Sequence, residues 1–296
     1  PKIRTMQIIR KLEQGPRGVY CGAMGFAGPG GQAVFNVPIR TLQRSNGERR
    51  WRFRVGSGIV WDSRASDEWQ ECTTKAAFLQ TQPVELQLLE SILWNGRYRY
   101  LREHIDRMKR SADYLSIRLT RRGLIRALRG AERTLSGAHK VRLLADRAGR
   151  ISVEAQPVAL PVGTSPQKAM LADEPIDERE PLLYHKTTYR PWYRSAMRRI
   201  AAGDCFDVIF INGHGAVTEG ARSNVFVRIG GMLYTPPVTA GLLPGVLRRR
   251  LLERGACRER SLTIRELRTA DALYCGNSVR GLVAVQLVES SGDGVS

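Results

Sequence analysis

Two residues in the second half of the sequence are of types that could carry chemistry. Lys186, in YHKTTYR, is the only lysine after Lys168, and a lysine amine that the fold keeps from full solvation can attack a carbonyl carbon. Glu219, in AVTEGARSN, follows a strongly apolar run and a glycine turn. A carboxylate there can pair with a protonated ring nitrogen. Taken singly, the two also fit a surface lysine and a turn carboxylate.

Two further features could bind a phosphate group. Gly245, in GLLPGVLRRR, is placed where a helix begins, and the free backbone N–H groups of a helix start attract anions. Arg107, in REHIDRMKR, lies off the apolar stripe of its predicted helix, and a guanidinium fork binds phosphate well. A plain helix start and a solvated helix face are the alternative interpretations.

The first of three stretches that must position these residues covers residues 1–80. It is predicted to contain a helix, a glycine-rich turn, strands at 33–42 and 50–60, and a helix at 66–79. The strands are indicated by apolar alternation. The helix is indicated by apolar residues at helical spacing, with Ser66 as the predicted N-cap and acidic residues in the first turn.

The second stretch, residues 84–163, begins after a break at residues 81–83. It is predicted to hold a strand, a turn at Asn95 and Gly96, and a second strand, because Asn-Gly favours a hairpin. A helix is expected from about Arg102, followed by another hairpin that turns at residues 146–149.

Residues 164–181, rich in proline and acidic residues at either end, are predicted to be a linker to the third stretch, residues 182–290. That stretch is predicted to contain a buried strand at 206–212, a hairpin at 225–237 and a helix at 245–255 that ends at a glycine. Helices and strands thus alternate, and we predict an α/β (α+β) fold class.

Composition restricts the class of protein. The 296 residues are 42% hydrophobic, which suffices for one or two domains with a sizeable core. The sequence contains no apolar run of about 18 residues, the length that a membrane span requires. Five cysteines are scattered without a C-x-x-C pair, which favours reduced thiols and a cytoplasmic location over a disulfide framework or a zinc site. The start at Pro1 suggests a chain cut from a longer one.

A formal net charge of +19 makes nucleic acid one possible partner. The basic residues are spread along the chain without a finger or RNP-type motif, and only 7 of the 47 are lysine. Anionic small substrates are an equally natural partner, because arginine binds carboxylates and phosphates in a bidentate way. The prediction is a small-molecule substrate, without nucleic acid or membrane.

Five runs in order resemble the aminotransferase class IV family, which uses pyridoxal 5′-phosphate (PLP). They are LLES with NGRYRYLREHIDRMKRSADYL, HKTTYR, DVIFINGHGAVTEGARSNVFV, LYTPPVTAGLLPGVLRR and YCGNSVRGL. The resemblance implies that Lys186 bonds covalently to PLP, that Glu219 faces the ring nitrogen and that Arg107 binds the phosphate. It adds Ser278 and the N–H groups of Val246 and Leu247 to the phosphate site. Members of the family commonly carry threonine where Leu247 stands.

Residues 1–80 resemble the C-terminal part of chorismate-utilising synthases, in the runs PKIRTMQIIRKLEQGPRGVYCGAMGF, VFNVPIRTL and VGSGIVWDSRASDEWQECTTKAAFL. Glu68, Glu71 and Lys75 share one helical face, which without the resemblance fits a solvated salt-bridge face. The resemblance implies that Glu71 binds Mg²⁺, with Glu68 as a second candidate ligand. It implies a chorismate site at Tyr20, Arg40, Gly58 and Lys75, with Gly56 beside it.

The two resemblances together imply a bifunctional enzyme whose class IV part is a 4-amino-4-deoxychorismate lyase that forms 4-aminobenzoate and pyruvate for folate synthesis. A homodimer and a glutamine amidotransferase partner are also implied, while the incomplete synthase part is expected not to aminate chorismate. Arg222 and Arg97 are candidates for the substrate carboxylates. A class IV transaminase for branched-chain or D-amino acids, an inactive fragment and a nucleic-acid binder are the competing hypotheses.

Overall fold

The computed structural model describes residues 2–79, 85–160 and 165–288. It divides the chain into two compact units, Pro1–Pro83 and Val84–Ser296, and each unit is described by itself. In the described ranges no helix has the length and apolarity that crossing a bilayer requires.

Unit 1 contains short elements. They are helix α1 (Lys2–Leu12), strands β1 (Met24–Ala27), β2 (Ala33–Asn36), β3 (Leu42–Gln43) and β4 (Arg52–Phe53), helix α2 (Ala65–Ala76) and a 3₁₀ turn (Ala77–Leu79). Strands β1 and β2 form one antiparallel pair, and β3 and β4 form another. The predicted strand at 33–42 is therefore two short strands, and only Arg52–Phe53 of the predicted strand at 50–60 is extended in a pair.

The predicted N-cap of α2 is wrong by two positions. Arg64 occupies the cap and makes no side-chain cap bond, while the Ser66 hydroxyl donates to the Asp67 carboxylate at 3.0 Å. Asp67 and Glu68 do lie in the first turn, where carboxylates interact favourably with the positive end of the helix dipole. The apolar spacing that predicted the helix does not produce burial, since α2 buries no residue and Trp69 is 74% exposed.

Unit 2 begins with a three-stranded antiparallel sheet of β5 (Leu88–Trp94), β6 (His139–Ala145) and β7 (Ile151–Pro157). Helices α3 (Leu101–Tyr114) and α4 (Arg121–Glu132) pack on it. Apolar side chains at helical and strand spacing, such as Ile92, Ile105 and Leu124, are fully buried between these layers. Each contributes about 1.5–3 kcal/mol when removed from water.

The predicted strand after Asn95 and Gly96 is absent among the described residues. Tyr98 forms only an isolated bridge to Trp94, and its hydroxyl donates to the carbonyl of Leu128 at 2.8 Å. Tyr100, in a left-handed conformation at φ 55°, then starts α3. The Tyr98 side chain thus contacts α4, a helix that the sequence analysis missed, and α3 begins at Leu101 in place of a second strand.

The second sheet of unit 2 has eight strands in the order β10, β9, β8, β15, β14, β11, β12, β13. These strands are β8 (Gln167–Leu171), β9 (Asp207–Ile211), β10 (Val217–Gly220), β11 (Asn224–Ile229), β12 (Met232–Thr235), β13 (Arg258–Glu259), β14 (Ala272–Asn277) and β15 (Gly281–Leu287). Helices α5 (Arg194–Ala202), α6 (Val246–Glu253) and α7 (Ile264–Thr269), and 3₁₀ turns at Pro181–Tyr184, Pro191–Tyr193 and Val238–Ala240, complete the unit. The fold is α/β (α+β), as predicted.

Strand β8 corrects the predicted linker at 164–181. It pairs in parallel with both β9 and β15, and Ala169 at its centre is fully buried. Sequence patterning did not find it because only two of its five residues, Ala169 and Met170, are buried, an apolar run too short to indicate a strand. The predicted boundary at 163/164 lies outside the described residues. The hairpins turning at 146–149 and 230–231 are confirmed by the register of β6 with β7 and of β11 with β12.

Candidate active site

A cavity of about 460 Å³ opens between the two sheets of unit 2. It is lined by all six residues that the sequence analysis placed in a PLP site, namely Arg107, Lys186, Glu219, Val246, Leu247 and Ser278. These residues come from α3, α6, β10 and two loops. The structure therefore brings together side chains that are far apart in the sequence.

Lys186 is held by backbone bonds to the edge of β5. The Leu89 N–H donates to the Lys186 carbonyl, and the Thr188 N–H donates to the Gln87 carbonyl, both at 2.9 Å. On the N-terminal side, the His185 ring lies 3.0 Å from the Ser111 hydroxyl. With both neighbours tethered, the lysine side chain projects into the cavity from a fixed backbone.

The environment favours a neutral amine at Lys186. Burial, reinforced by the charges of Arg190 and Arg107, lowers the pKa of Lys186 to about 7 against the attraction of Glu90 and Glu219. An amine with that pKa is neutral in a large fraction of molecules at neutral pH, whereas an ordinary lysine with a pKa of about 10.4 is almost fully protonated. Lys186 is thus poised as a nucleophile or a base.

This pKa leads to a pH prediction. Because only the neutral amine reacts, labelling of Lys186 in the PLP-free protein by trinitrobenzenesulfonate is expected to reach half its maximal rate near pH 7. An unperturbed lysine continues to gain reactivity up to about pH 10. Peptide mass analysis of samples quenched at a series of pH values measures the rate at this position, with Lys186→Met as the background. A midpoint above pH 9 contradicts the prediction.

Glu219 lies at the irregular end of β10, 2% exposed. The Tyr193 hydroxyl donates to its Oε1 at 2.7 Å, and Asn224 Nδ2 donates to its Oε2 at 3.3 Å. Arg190 Nη2 is 3.4 Å from Oε1. Burial raises the pKa of Glu219, while Arg190 and the Tyr193 hydroxyl oppose that rise. The neutral donors Tyr193 and Asn224 orient the carboxylate. The positive charge of Arg190 offsets only part of the cost of burying it.

Arg107 and the start of α6 lie at another part of the cavity wall. Arg107 Nη1 donates to the Pro244 carbonyl at 3.2 Å, which ties the guanidinium to the turn before Gly245. Gly245 is the N-cap of α6, as predicted, and a Cβ atom there would lie 1.8 Å from Asn224 Oδ1. The absence of a side chain lets the helix start approach the sheet closely. The N–H groups of the first helical turn have no partner within the helix.

Arg107 is not on a solvated helix face, because it is 6% exposed and pairs with Glu90 of β5. Its Nε and Nη2 lie 2.8 and 2.6 Å from the two carboxylate oxygens, and His104 Nδ1 lies 2.7 Å from Oε2. Burial would raise the pKa of Glu90, but Arg107 and His104 outweigh it and lower the pKa to about 2. The sequence analysis missed Glu90 and His104. The signal that could have found Glu90 is a carboxylate inside an apolar strand.

Replacing Glu90 is expected to destabilise the fold in a pH-dependent way. Removing one partner of a buried pair costs about 3–5 kcal/mol, and a pKa of about 2 in place of 4.5 corresponds to about 3 kcal/mol of stability. That stability is present above pH 4.5 and is lost as the pH falls towards 2. The difference in free energy of unfolding between wild type and Glu90→Gln, measured by denaturant titration, is therefore expected to shrink over that range.

The exposed Glu174 provides the matched control for this measurement. Glu174→Gln is expected to leave the free energy of unfolding within about 0.5 kcal/mol of wild type. A Glu90→Gln protein as stable as wild type at pH 7 contradicts the role given to the buried pair.

Of the two arginines predicted for substrate carboxylates, the structure favours one. Arg97 is exposed in the turn after β5 and does not line the cavity of this chain. Arg222 lines the cavity and is anchored through Nη2 to the Phe206 carbonyl. Four cations that the sequence analysis missed, Lys140, Arg142, Arg190 and Arg280, line the same cavity.

In unit 1 the structure joins part of the predicted chorismate site. Lys75 Nζ donates to the Gly56 carbonyl at 3.0 Å and lies 2.5 Å from Glu71 Oε1. A Cβ atom on Gly56 would be 3.1 Å from the Tyr20 hydroxyl. Glu71 is thus paired with a lysine, and among the described residues no group of three or more His, Cys, Asp or Glu side chains forms a metal site.

The remaining predicted residues of that site are more scattered. Glu68 accepts from the Ser63 hydroxyl at 2.5 Å, and hydrogen bonds from Ser57 and Ser63 lower its pKa. Arg40 is exposed with a left-handed backbone at φ 50°, and Gly58 is exposed with open space around it. Unit 1 therefore presents Tyr20, Gly56 and Lys75 together, while Arg40 and Gly58 are exposed.

Residues 87–288, which carry the cavity, match the model for amino-transferase class IV. The chain belongs to the amino-transferase class IV family. Its members are PLP enzymes that act on small molecules, so the chain is a PLP-dependent enzyme. Residues 1–81 match the model for chorismate binding enzymes.

Relatives of both parts are known. A Schizosaccharomyces pombe protein provisionally named aminodeoxychorismate lyase is 34% identical over 59% of this chain and 77% of its own length. Aminodeoxychorismate synthase of Streptomyces griseus is 48% identical over 26% of this chain, but the matched part is only 10% of that synthase. A structure from Mesorhizobium loti, provisionally named an amino-acid aminotransferase, has 32% identity and a TM-score of 0.66, covering 69% of this chain and all of that one.

The class IV cavity fits PLP in size and in its donors. A volume of about 460 Å³ lies within the range of small-ligand sites. The cavity offers a helix start with a buried arginine for a phosphate, an amine for an aldehyde, and a buried carboxylate for a ring nitrogen. The side chain of Leu247, 6% exposed, supplies no hydroxyl, so any contribution to the phosphate from this position comes from the backbone N–H.

Proposed function

We propose that the class IV domain is a 4-amino-4-deoxychorismate lyase, which releases 4-aminobenzoate and pyruvate in folate synthesis. The observation that carries the proposal is the single cavity in which a lysine with a pKa of about 7 and a buried glutamate are accompanied by a group of cations. The substrate has an amine that can react with the aldehyde of PLP, and two carboxylates that suit the cationic wall. The name given to the S. pombe relative supports the same assignment.

We propose that Lys186 holds PLP covalently and then serves as the base. When bound, PLP withdraws electrons from the substrate carbon that carries the nitrogen. The Lys186 amine, neutral because it is buried among cations, takes the proton from that carbon. The side chain would leave as an enolate that takes up the proton held by Lys186, which gives pyruvate and an aromatic ring. The Lys186 amine, neutral again, would then be free to hold PLP once more.

We propose that the other residues hold the cofactor in place. Glu219, fixed by Tyr193 and Asn224, keeps the ring nitrogen protonated. Arg107, the N–H groups of Val246 and Leu247, and the hydroxyl of Ser278 bind the phosphate. The Ser278 hydroxyl is only 3.5 Å from the Ser91 carbonyl in a weak bond, so it can turn towards a phosphate oxygen at low cost.

The test is incubation of the PLP-loaded protein with enzymatically made 4-amino-4-deoxychorismate. Pyruvate and 4-aminobenzoate are expected in equal amounts without any added acceptor. Pyruvate is measured with lactate dehydrogenase, and 4-aminobenzoate is measured by fluorescence after chromatography. Turnover that requires 2-oxoglutarate and yields glutamate identifies a transaminase instead, and absence of both products shows an inactive domain.

For unit 1 we propose a contribution to an aminodeoxychorismate synthase that supplies the lyase with substrate. Support comes from the resemblance of residues 1–81 to chorismate binding enzymes, of which this chain spans a small part. Tyr20, Arg40, Gly58 and Lys75 would contact chorismate, and Glu71, with Glu68, would bind Mg²⁺ in the complete domain. A homodimer and a glutamine amidotransferase partner are part of the same proposal.

A further inference from the structure

Four cations line one part of the class IV cavity. Lys140 and Arg142 lie on β6, two positions apart, and so project from the same face of that strand. Arg222 follows β10, and Arg280 lies in the turn between β14 and β15. Three separate elements thus direct positive charge into the same space.

The carboxylates around this group do not balance it. Arg142 Nη1 pairs with Glu154 at 2.7 Å, and Arg222 is tied to the Phe206 carbonyl and stacks on the Phe206 ring at 4.6 Å. Among the described contacts, Lys140 and Arg280 have no carboxylate within ion-pair distance.

Within the part of the chain that the structure describes, one buried acid interacts with Arg222 and Arg280. Asp207, fully buried, accepts from the Ser223 hydroxyl and from the Val208 N–H. Burial raises its pKa to about 6, so Asp207 is mostly ionised at neutral pH and supplies one negative charge. One carboxylate does not balance the positive charges of Lys140, Arg222 and Arg280.

Repulsion among these cations lowers the pKa values of two of them. The pKa of Lys140 is lowered by burial and then by Arg280, Arg142 and Arg222. The pKa of Arg280 is lowered by burial and then by Arg222, against the attraction of Asp207. Buried like charges with too few counterions raise the free energy of the cavity, and an anion bound among them relieves both the repulsion and the desolvation.

We propose that Lys140, Arg222 and Arg280 form a carboxylate subsite that is distinct from the phosphate seat and selects substrates with a second carboxylate. This subsite rests on the proposed function, and its residues would let the enzyme discriminate between substrates with one and with two carboxylates. Simple amino acids such as the branched-chain ones carry one carboxylate, whereas 4-amino-4-deoxychorismate carries two. Arg107 and the α6 start supply a separate set of donors for phosphate, since Arg107 is held by Glu90 and Pro244.

The experiment measures binding without turnover. Calorimetric titrations of the PLP-loaded full chain use 3-(carboxymethoxy)benzoate, which has a ring carboxylate and an ether-linked carboxylate, and benzoate, which has one. Arg280→Met and Lys140→Met are each expected to reduce the preference for the diacid about 10- to 100-fold, because each removes a charge-assisted hydrogen bond. Arg280→Lys, which keeps the charge, is expected to recover part of the preference.

The control is Arg129→Met, a change of an exposed cation on α4 outside the cavity. It is expected to leave both affinities unchanged, and thermal melting of every variant verifies folding. If neither Arg280→Met nor Lys140→Met alters the ratio of diacid to monoacid affinity, the subsite is refuted.

Catalysis separates this inference from the proposed function. In a working lyase, Arg280→Met is expected to raise KM for 4-amino-4-deoxychorismate more than it lowers kcat. Diacid preference that depends on Arg280, in a protein releasing no pyruvate, would retain the subsite and reject the lyase. Pyruvate release with a KM that is insensitive to both substitutions would retain the lyase and reject the subsite.

Discussion

Replacing Lys186 with alanine is expected to lower pyruvate release from 4-amino-4-deoxychorismate by at least about 1000-fold. Positioned proton transfer alone contributes about 10²- to 10⁴-fold, and the substitution also removes the nucleophile that holds the cofactor. The measurement is the initial rate of pyruvate formation at saturating PLP. Wild type bonded to PLP through a lysine is expected to show an absorbance band at roughly 410–430 nm. The variant is expected to lack this band.

The matched control is Lys168→Ala, which alters the nearest preceding lysine, an exposed residue of β8. Its rate and absorbance are expected to equal those of wild type. Retention of more than about a tenth of the wild-type rate by Lys186→Ala, in a protein that melts normally, would reject the catalytic assignment of this lysine.

The second large effect is expected for Glu219→Gln. The substitution keeps the size of the side chain and removes the charge that faces the cofactor ring. Losing a buried charge interaction of about 3 kcal/mol corresponds to a rate decrease of roughly 100-fold. Since the lost interaction is needed most when electrons move into the ring, kcat is expected to fall more than KM rises.

Stability must be measured beside the rate, because Glu219 also accepts from Tyr193 and lies close to Arg190. The glutamine oxygen preserves one acceptor, so most of the loss is expected in catalysis. Glu253→Gln, an exposed carboxylate at the end of α6, is the control and should leave both rate and melting temperature unchanged. Equal kcat for wild type and Glu219→Gln would show that the ring nitrogen has another partner.

Local patterns in the sequence were sufficient for part of the fold. The start of α6 at Gly245 and the hairpins around residues 146–149 and 230–231 depend on turn residues and on apolar periodicity, which act over a few positions. The same local signals failed after Asn95 and Gly96, where Tyr98 contacts the distant Leu128 carbonyl and a helix begins in place of a strand.

The sequence by itself determined which residue types stand in which motif, and therefore the family, the candidate lysine and the candidate glutamate. Only the tertiary structure decided that Lys186 and Glu219 line one cavity, that Arg107 is fixed by Glu90, and that Arg222 rather than Arg97 faces the site. The physical reason is that burial and charge–charge interactions act through space. The pKa of a lysine or a buried glutamate depends on neighbours that distant elements supply, and no local pattern records them.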